Sequence, residues 1–451
     1  MILYFAAPYR FKNFVLLVSS LGFYFYGEPV YTLLMVAVTV SAYIHGLLIE
    51  RFRGTLWGRV FLWISVISGI GVLGFFKYSD FFVSNLNAIT GVDRKLLGLA
   101  LPIGISFYTF QTLSYTIDVY RGEVRAQKSF LKLATYITLF TQLIAGPIVR
   151  YSSVEKELSC RTHSWENTSC GINRFIIGLA KKVLLADNLG MLANSLHMSD
   201  ERSVAGYWIY AAAVTLQLYF DFSGYSDMAI GLGRIFGFHF PENFQYPFMA
   251  RSISEFWRRW HMTLGTWFRD YVYIPLGGNR VSFPRWLFNV ILVWFLTGLW
   301  HGADWTFVLW GLYFAVFLIL EKICLNRLLA KIPAVISHFY VMVTVMLSFV
   351  LFSADGLTGA LDYLGGMFGI GGIVLWTGET GFYLGSYLVL LVIAMIGATS
   401  IPKNVLKKLQ ENKTANLALS VLEPVFYVVI ALVVTAYLVD GSFSPFLYFR
   451  F

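Results

Sequence analysis

A chain of 451 residues that is 57% hydrophobic, 18% aromatic and only 13% charged carries about half the charge of an ordinary soluble domain. That is too little polar surface for the several water-exposed cores such a length implies, so a soluble enzyme is excluded and a membrane protein expected. The 34 Lys plus Arg against 25 Asp plus Glu, a formal charge of +9, suit anionic headgroups and cytoplasmic basic loops better than a nucleic-acid groove; no nucleic-acid partner is expected.

In chain order, Met1 to Ala7 is a short hydrophobic start that runs into Pro8, Arg10 and Lys12 without a small-residue cleavage site, so no cleavable signal peptide is expected. A helical span needs roughly 20 mostly apolar residues. The clearest runs are 30–49, 60–76, 96–117, 133–148, 205–222, 287–300, 305–320, 335–352, 382–401 and 421–439. The run 14–27 is shorter, and 171–191 is interrupted by Lys181, Lys182 and Asp187. Together they predict about 10 to 12 spans.

Positive charge sorts the loops. Clusters at Arg51, Arg53 and Arg59, at Arg121, Arg125, Lys128 and Lys132, at Lys322, Arg327 and Lys331, and at Lys403, Lys407, Lys408 and Lys413 are expected to be cytoplasmic. The stretch 353–381 holds Asp355, Asp362 and Glu379 without Lys or Arg and belongs on the other side. Between 148 and 285, charged, amphipathic and broken stretches alternate and in-out counting gives no unique answer, which marks the functional candidate region. Open sheets cannot lie in lipid, and the runs lack the alternation of an outer-membrane barrel, so the fold class is all-α: a polytopic helical membrane protein with re-entrant or amphipathic helices. Cys160, Cys170 and Cys324 form no CxxC and leave room for at most one bridge, Cys160 to Cys170.

Two histidines stand out. From Ser252 to His261 the sequence opens like a capping box, Ser252 with Glu255. Phe256, Trp260, Thr263, Leu264 and Trp267 then fall on one helical face, and Glu255 and Arg259 are spaced for an ion pair. Periodicity alone reads this as an interfacial helix; His261 turns the reading toward function. His301 lies at the junction of two strongly apolar runs, where an ionisable group is costly and by default marks a pathway or cavity, against the plainer reading of a hydrogen-bonded structural histidine. Low polarity keeps such an imidazole neutral and able to take a proton, as a general base must. Asp304 is close enough to orient the ring if the local turn is helical.

His45, His163, His197, His239 and His338 have no comparable setting. Asp221, Ser223, Tyr225, Ser226 and Asp227 end an apolar run with too many polar groups for lipid contact, and structural pairing and active-site lining fit them equally. Gln142 and Arg150 make a weaker case. A GxGxxG string, Gly69 to Gly74, lies inside an apolar run and reads as small-residue helix packing. No GxSxG, HExxH or phosphate-loop motif occurs, so neither covalent serine catalysis nor ATP hydrolysis is supported, and no metal site is expected.

Taken together, Pro241-Glu242-Asn243-Phe244, Ser254 through His261, Phe268-Arg269-Asp270-Tyr271, Ile274 through Arg280 and Trp300-His301-Gly302 resemble the membrane-bound O-acyltransferase (MBOAT) family in its bacterial alginate O-acetyltransferase (AlgI-like) branch. Gly104-Ile105-Ser106-Phe107, Asp118 through Gly122, Ala145 through Ile148 and the ending Pro445 through Phe449 fit the same branch, so the resemblance covers nearly the whole chain. It implies a single transmembrane domain over 1–451, helices around a central cavity, and a catalytic core in 240–305. His261 and His301 match the family's two histidines, with His301 catalytic. Arg258, Trp260, Asp270, Asn279 and Trp300 are expected to bind substrate or line the site.

The activity implied is transfer of an acyl group, acetyl above all, from a cytoplasmic thioester such as acetyl-CoA or an acyl carrier protein, with no bound cofactor. The acceptor would be a hydroxyl of an exported polysaccharide such as alginate, reached through an extracytoplasmic partner protein. The setting would be membrane lipid in the bacterial inner membrane. In the expected mechanism His301 takes the hydroxyl proton, and a neutral donor or His261 steadies the oxyanion. The alternatives are D-alanyl transfer to teichoic acid (DltB-like) and a polysaccharide-precursor transporter, although no duplication of halves is visible.

Overall fold

The computed structural model describes residues 1–440. Among the described residues every extended element is a helix, and the one β-type contact is an isolated bridge between Ser203 and Val374. The all-α reading holds for the reason that suggested it: in hydrocarbon only a helix satisfies its own backbone groups within one segment. The ending 445–449 lies outside the described residues.

Seven of the described helices are long and apolar enough to cross a membrane: Pro29–Arg51, Leu56–Thr90, Phe283–His301, Trp305–Leu329, Ala334–Ser353, Gly378–Gly397 and Lys413–Val439. The remaining apolar runs form helices that are shorter or carry charge. The run 133–148 yields only the nine-residue helix Phe130–Thr138, which ends where Leu139 leaves helical geometry at φ −56°, ψ 113°; Gly146, at φ 105°, and Pro147 lie in the irregular stretch that follows. The run 96–117 starts its helix only at Ile105, after Gly104 in a left-handed conformation. The run 205–222 is the first part of the 32-residue helix Val204–Ile235, which carries Asp221, Asp227 and Arg234.

The chain forms two compact units, Met1–Ile172 with Ala229–Pro241, and Asn173–Met228 with the chain from Glu242 onward. In the first, the helices Lys12–Gly27, Pro29–Arg51, Leu56–Thr90 and Ile105–Arg121 enclose a core that includes Leu16, Met35, Tyr108, Tyr115, Tyr136 and Tyr151. A Cβ on Gly69 would already touch Leu113 at 3.3 Å, whereas Gly71 and Gly74 face open space, so one glycine of the GxGxxG string packs against a neighbouring helix. In the second unit, Phe220, Phe256, Trp310, Phe314, Val345 and Phe349 form the centre. Cys160, Cys170 and Cys324 are free thiols.

Candidate active site

His261 sits where one amphipathic face is broken. Ser252 caps a helix by accepting from Glu255 N–H at 3.0 Å, but that helix covers only Ile253–Trp257, and a second begins at Met262. Between them His261 takes φ 42°, ψ 52°, a left-handed conformation uncommon for any residue but glycine. Tertiary hydrogen bonds impose it: Gln245 N–H donates to the Arg259 carbonyl at 2.9 Å and Met262 N–H to the Asn243 carbonyl at 3.0 Å. The expected face is still apolar and buried, with Phe256, Trp260, Leu264 and Trp267 all in the interior. A helix stop inside such a face stores strain that the surrounding bonds must offset, a recurrent feature of functional sites.

The short helix is held by a residue that sequence reading missed. Glu321, fully buried, accepts from Ile253 N–H, from Ser254 N–H at 2.8 Å and from Ser254 Oγ at 2.6 Å, placing a carboxylate on the unsatisfied donors of a helix start. A lone Glu at the end of the apolar run 305–320 was the available signal. Glu321→Gln turns an amide NH2 toward these donors. It is expected to cost about 1.5–3 kcal/mol, as for hydrogen bonds to a charged group, and to lower activity with it. A thermal melt and a turnover assay on the same preparation check both.

His301 is the last residue of Phe283–His301. That helix forms a hairpin with Trp305–Leu320, and the two meet at glycines: a Cβ on Gly298 would lie 2.3 Å from the Phe307 carbonyl oxygen, and one on Gly311 would lie 2.2 Å from that of Trp294. Gly302 lies against the Phe307 ring, where a Cβ would come within 2.1 Å. The turn between the helices is extended rather than helical, with Gly302 at φ −162° and Asp304 at φ −144°. Asp304 therefore does not orient the imidazole. It caps the next helix, accepting from Thr306 N–H at 2.8 Å and Thr306 Oγ1 at 2.9 Å.

The two imidazoles flank one indole. Trp300 lies 5.8 Å from His261 and 5.0 Å from His301, ring centre to ring centre. His301 also meets Trp310 at 4.9 Å and Phe352 at 5.4 Å edge to face, and His261 meets Phe222 at 4.6 Å. Only 1% of His261 and 5% of His301 reaches solvent. Burial without a neighbouring charge pushes the His261 imidazole down to about 3, so it is neutral at any ordinary pH. Its Nδ1 lies 3.1 Å from Asn243 Oδ1.

Close by, the carboxylates of Val204–Ile235 are paired. Lys182 bridges Asp187 at 2.7 Å and Asp221 at 2.8 Å. Lys181 meets Asp227 at 2.6 Å, and Arg174 joins Asp227 at 2.8 Å to Glu242. Both lysines stand on a π-helical turn, Lys181–Ala186, next to a close approach where a Cβ on Gly178 would lie 2.5 Å from the Gly224 carbonyl. Structural pairing thus accounts for Asp221 and Asp227, while Ser226 reaches Asn243, which puts this polar stretch one residue from His261.

Of the residues expected to bind substrate, Trp300 lies between the histidines, and Trp260 packs among Tyr219, Phe244, Phe256 and Phe349. Arg258 and Asn279 are exposed. Asp270 meets its neighbour Arg269 at 2.6 Å. Irregular backbone near Pro275 is satisfied by buried Asn289, whose amide donates to the carbonyls of Leu276 at 3.2 Å and Gly278 at 3.1 Å.

The model of the MBOAT, membrane-bound O-acyltransferase family, matches residues 31–361. A probable alginate O-acetylase of Azotobacter vinelandii is 41% identical over 374 residues, 82% of this chain and 75% of the relative. One from Pseudomonas putida is 36% identical over 469 aligned positions, 100% of this chain and 96% of the relative. A peptidoglycan O-acetyltransferase of Helicobacter pylori is 35% identical over 396 residues, 81% of this chain and 75% of the relative. With seven membrane-capable helices and two buried histidines flanking one indole, this chain is a multi-pass acyltransferase that belongs to the membrane-bound O-acyltransferase family.

Proposed function

We propose that this chain moves an acetyl group from a cytoplasmic thioester, acetyl-CoA or an acylated carrier, to a hydroxyl of an exported polysaccharide. The observation that carries the reading is the juxtaposition of His261, Trp300 and His301 in an aromatic interior. The acceptor oxygen attacks the thioester carbonyl carbon while the His301 imidazole takes its proton. The C–S bond then breaks, the sulfur leaves as thiolate, and the imidazolium returns the proton to it, so that ester and thiol are the products. The carbonyl end of Phe283–His301 lies where positive charge develops on that ring.

Relatives named as a probable alginate O-acetylase and as a peptidoglycan O-acetyltransferase support a sugar hydroxyl as the acceptor. An extracytoplasmic partner that completes delivery, and residence in the inner membrane, belong to the same proposal. The test is purified protein in proteoliposomes supplied with labelled acetyl-CoA, an acetylated carrier or a D-alanylated carrier. Label leaving either acetyl donor on enzyme turnover is expected. Turnover of the D-alanyl donor alone overturns the acetyl assignment, and turnover of none overturns the reaction.

A further inference from the structure

One buried polar chain beside the site fixes a property that the residue types alone leave open: which nitrogen of His261 carries its proton. Asn243, 1% exposed, receives three groups at Oδ1: Thr263 Oγ1 at 2.9 Å, His261 Nδ1 at 3.1 Å and the Thr263 backbone N–H at 3.4 Å. A backbone N–H only donates, so the atom facing it is the amide oxygen and not the NH2. On the other side, Asn243 Nδ2 donates to Ser226 Oγ at 3.1 Å, a hydroxyl that accepts from the amide in this orientation and tethers it in place. An oxygen that only accepts obliges His261 Nδ1 to donate. A neutral imidazole with its proton on Nδ1 has a bare lone pair on Nε2, and that atom is buried with no hydrogen-bond partner among the described residues.

We propose that Asn243, braced by Ser226, is a positioning residue that locks His261 in the Nδ1–H tautomer, so that Nε2 accepts a hydrogen bond from a substrate N–H or O–H. The role differs from the oxyanion support expected for His261, because a bare Nε2 has no proton to give; the oxyanion must find its donors elsewhere. The donating group has two sources, the hydroxyl of the acceptor and an amide N–H of a pantetheine-type thioester. The inference rests on the proposed acyl transfer for its kinetic readout but not for its spectroscopic one. Burial alone lowers the His261 imidazole: the nearby carboxylate Asp227, next to Ser226, is held by Arg174 and Lys181, and His301 stands beyond the Trp300 ring.

The spectroscopic test is 15N NMR of histidine-labelled protein, with the His261 resonances assigned by their loss in His261→Gln. Nδ1 protonated and Nε2 bare is the expected signature, and the reverse tautomer overturns the proposal whether or not the chain transfers acetyl. Kinetically, Asn243→Ala is expected to lower kcat/KM about 10–100-fold, the range that corresponds to leaving a buried donor without its acceptor. Ser226→Ala, which leaves the Oδ1 contacts in place, is expected to cost only a few-fold.

Asn243→Asp keeps the acceptor but sets a carboxylate beside the ring, which favours imidazolium and occupies Nε2 with a proton. Its activity should therefore fall at low pH and recover as pH rises, an acid limb that His261 does not give the wild type. An Asn243→Asp profile identical to wild type overturns the proposal, because a merely structural asparagine would move stability and not this limb. In the variants a rise in KM for the acceptor with the thioester KM unchanged assigns the bond to the hydroxyl, and the opposite split assigns it to the thioester amide. Unchanged KM for both with unchanged kcat removes the bond altogether.

Discussion

His301→Ala is expected to lower acyl transfer at least about 100-fold, the lower end of what a positioned general base contributes, while the protein still reaches the membrane. The ring lies edge to face against Trp300, Trp310 and Phe352 at 4.9 to 5.4 Å, so its removal also opens a space in the interior. His301→Gln separates the two consequences, since it fills most of that space with an amide that cannot take a proton. The glutamine variant should melt close to wild type and be nearly as inactive as the alanine variant. Turnover within a few-fold of wild type in His301→Gln, with labelled acetyl-CoA as donor, would sink the mechanism.

The second large effect lies in the ion pairs. Lys182 is 7% exposed, and its partners Asp187 and Asp221 are 11% and 2% exposed. Lys182→Met leaves two carboxylates sharing a buried site with their bridging cation gone. Removal of one partner from a buried pair typically costs about 3–5 kcal/mol, because the remaining charge is uncompensated. Loss on that scale is expected in the thermal melt of the purified protein, or as a collapse of folded yield. Changing the carboxylates as well, in Lys182→Met with Asp187→Asn and Asp221→Asn, should restore much of it, since replacing a whole buried set costs far less than breaking it. A single Lys182→Met variant as stable as wild type would show that the three groups do not depend on one another.

The class of the protein and the unusual setting of His301 were legible in the sequence because each rests on something local, whereas His261 was picked out chiefly by the motif it shares with the family. Length of apolar run and scarcity of charge decide the helical membrane fold, and an ionisable side chain at the edge of hydrocarbon announces His301 by its cost alone. Features made by distant parts of the chain were not legible. The helix pattern through Phe256, Trp260, Leu264 and Trp267 is continuous, yet the backbone turns over at His261 because Asn243 and Gln245 bond to the residues on either side of it. Asp304 reads as a neighbour of His301 but serves the following helix. Glu321 looks like the charged end of a span until its carboxylate is seen on the backbone of Ile253 and Ser254. Asn243 belongs to the stretch 241–244, with nothing in its spacing to show that its oxygen would meet an imidazole eighteen positions on.

The helix Trp305–Leu320 connects these points. At one end its hairpin partner presents His301, and just past the other end Glu321 grips the segment that leads to His261. Sixteen residues make a rod about 24 Å long, stiff compared with any loop. The two imidazoles therefore hang from a common beam, and a tilt of that beam carries both together. A shift of this helix would carry both rings without resetting the gap between them, so long as the Glu321 clasp stays shut.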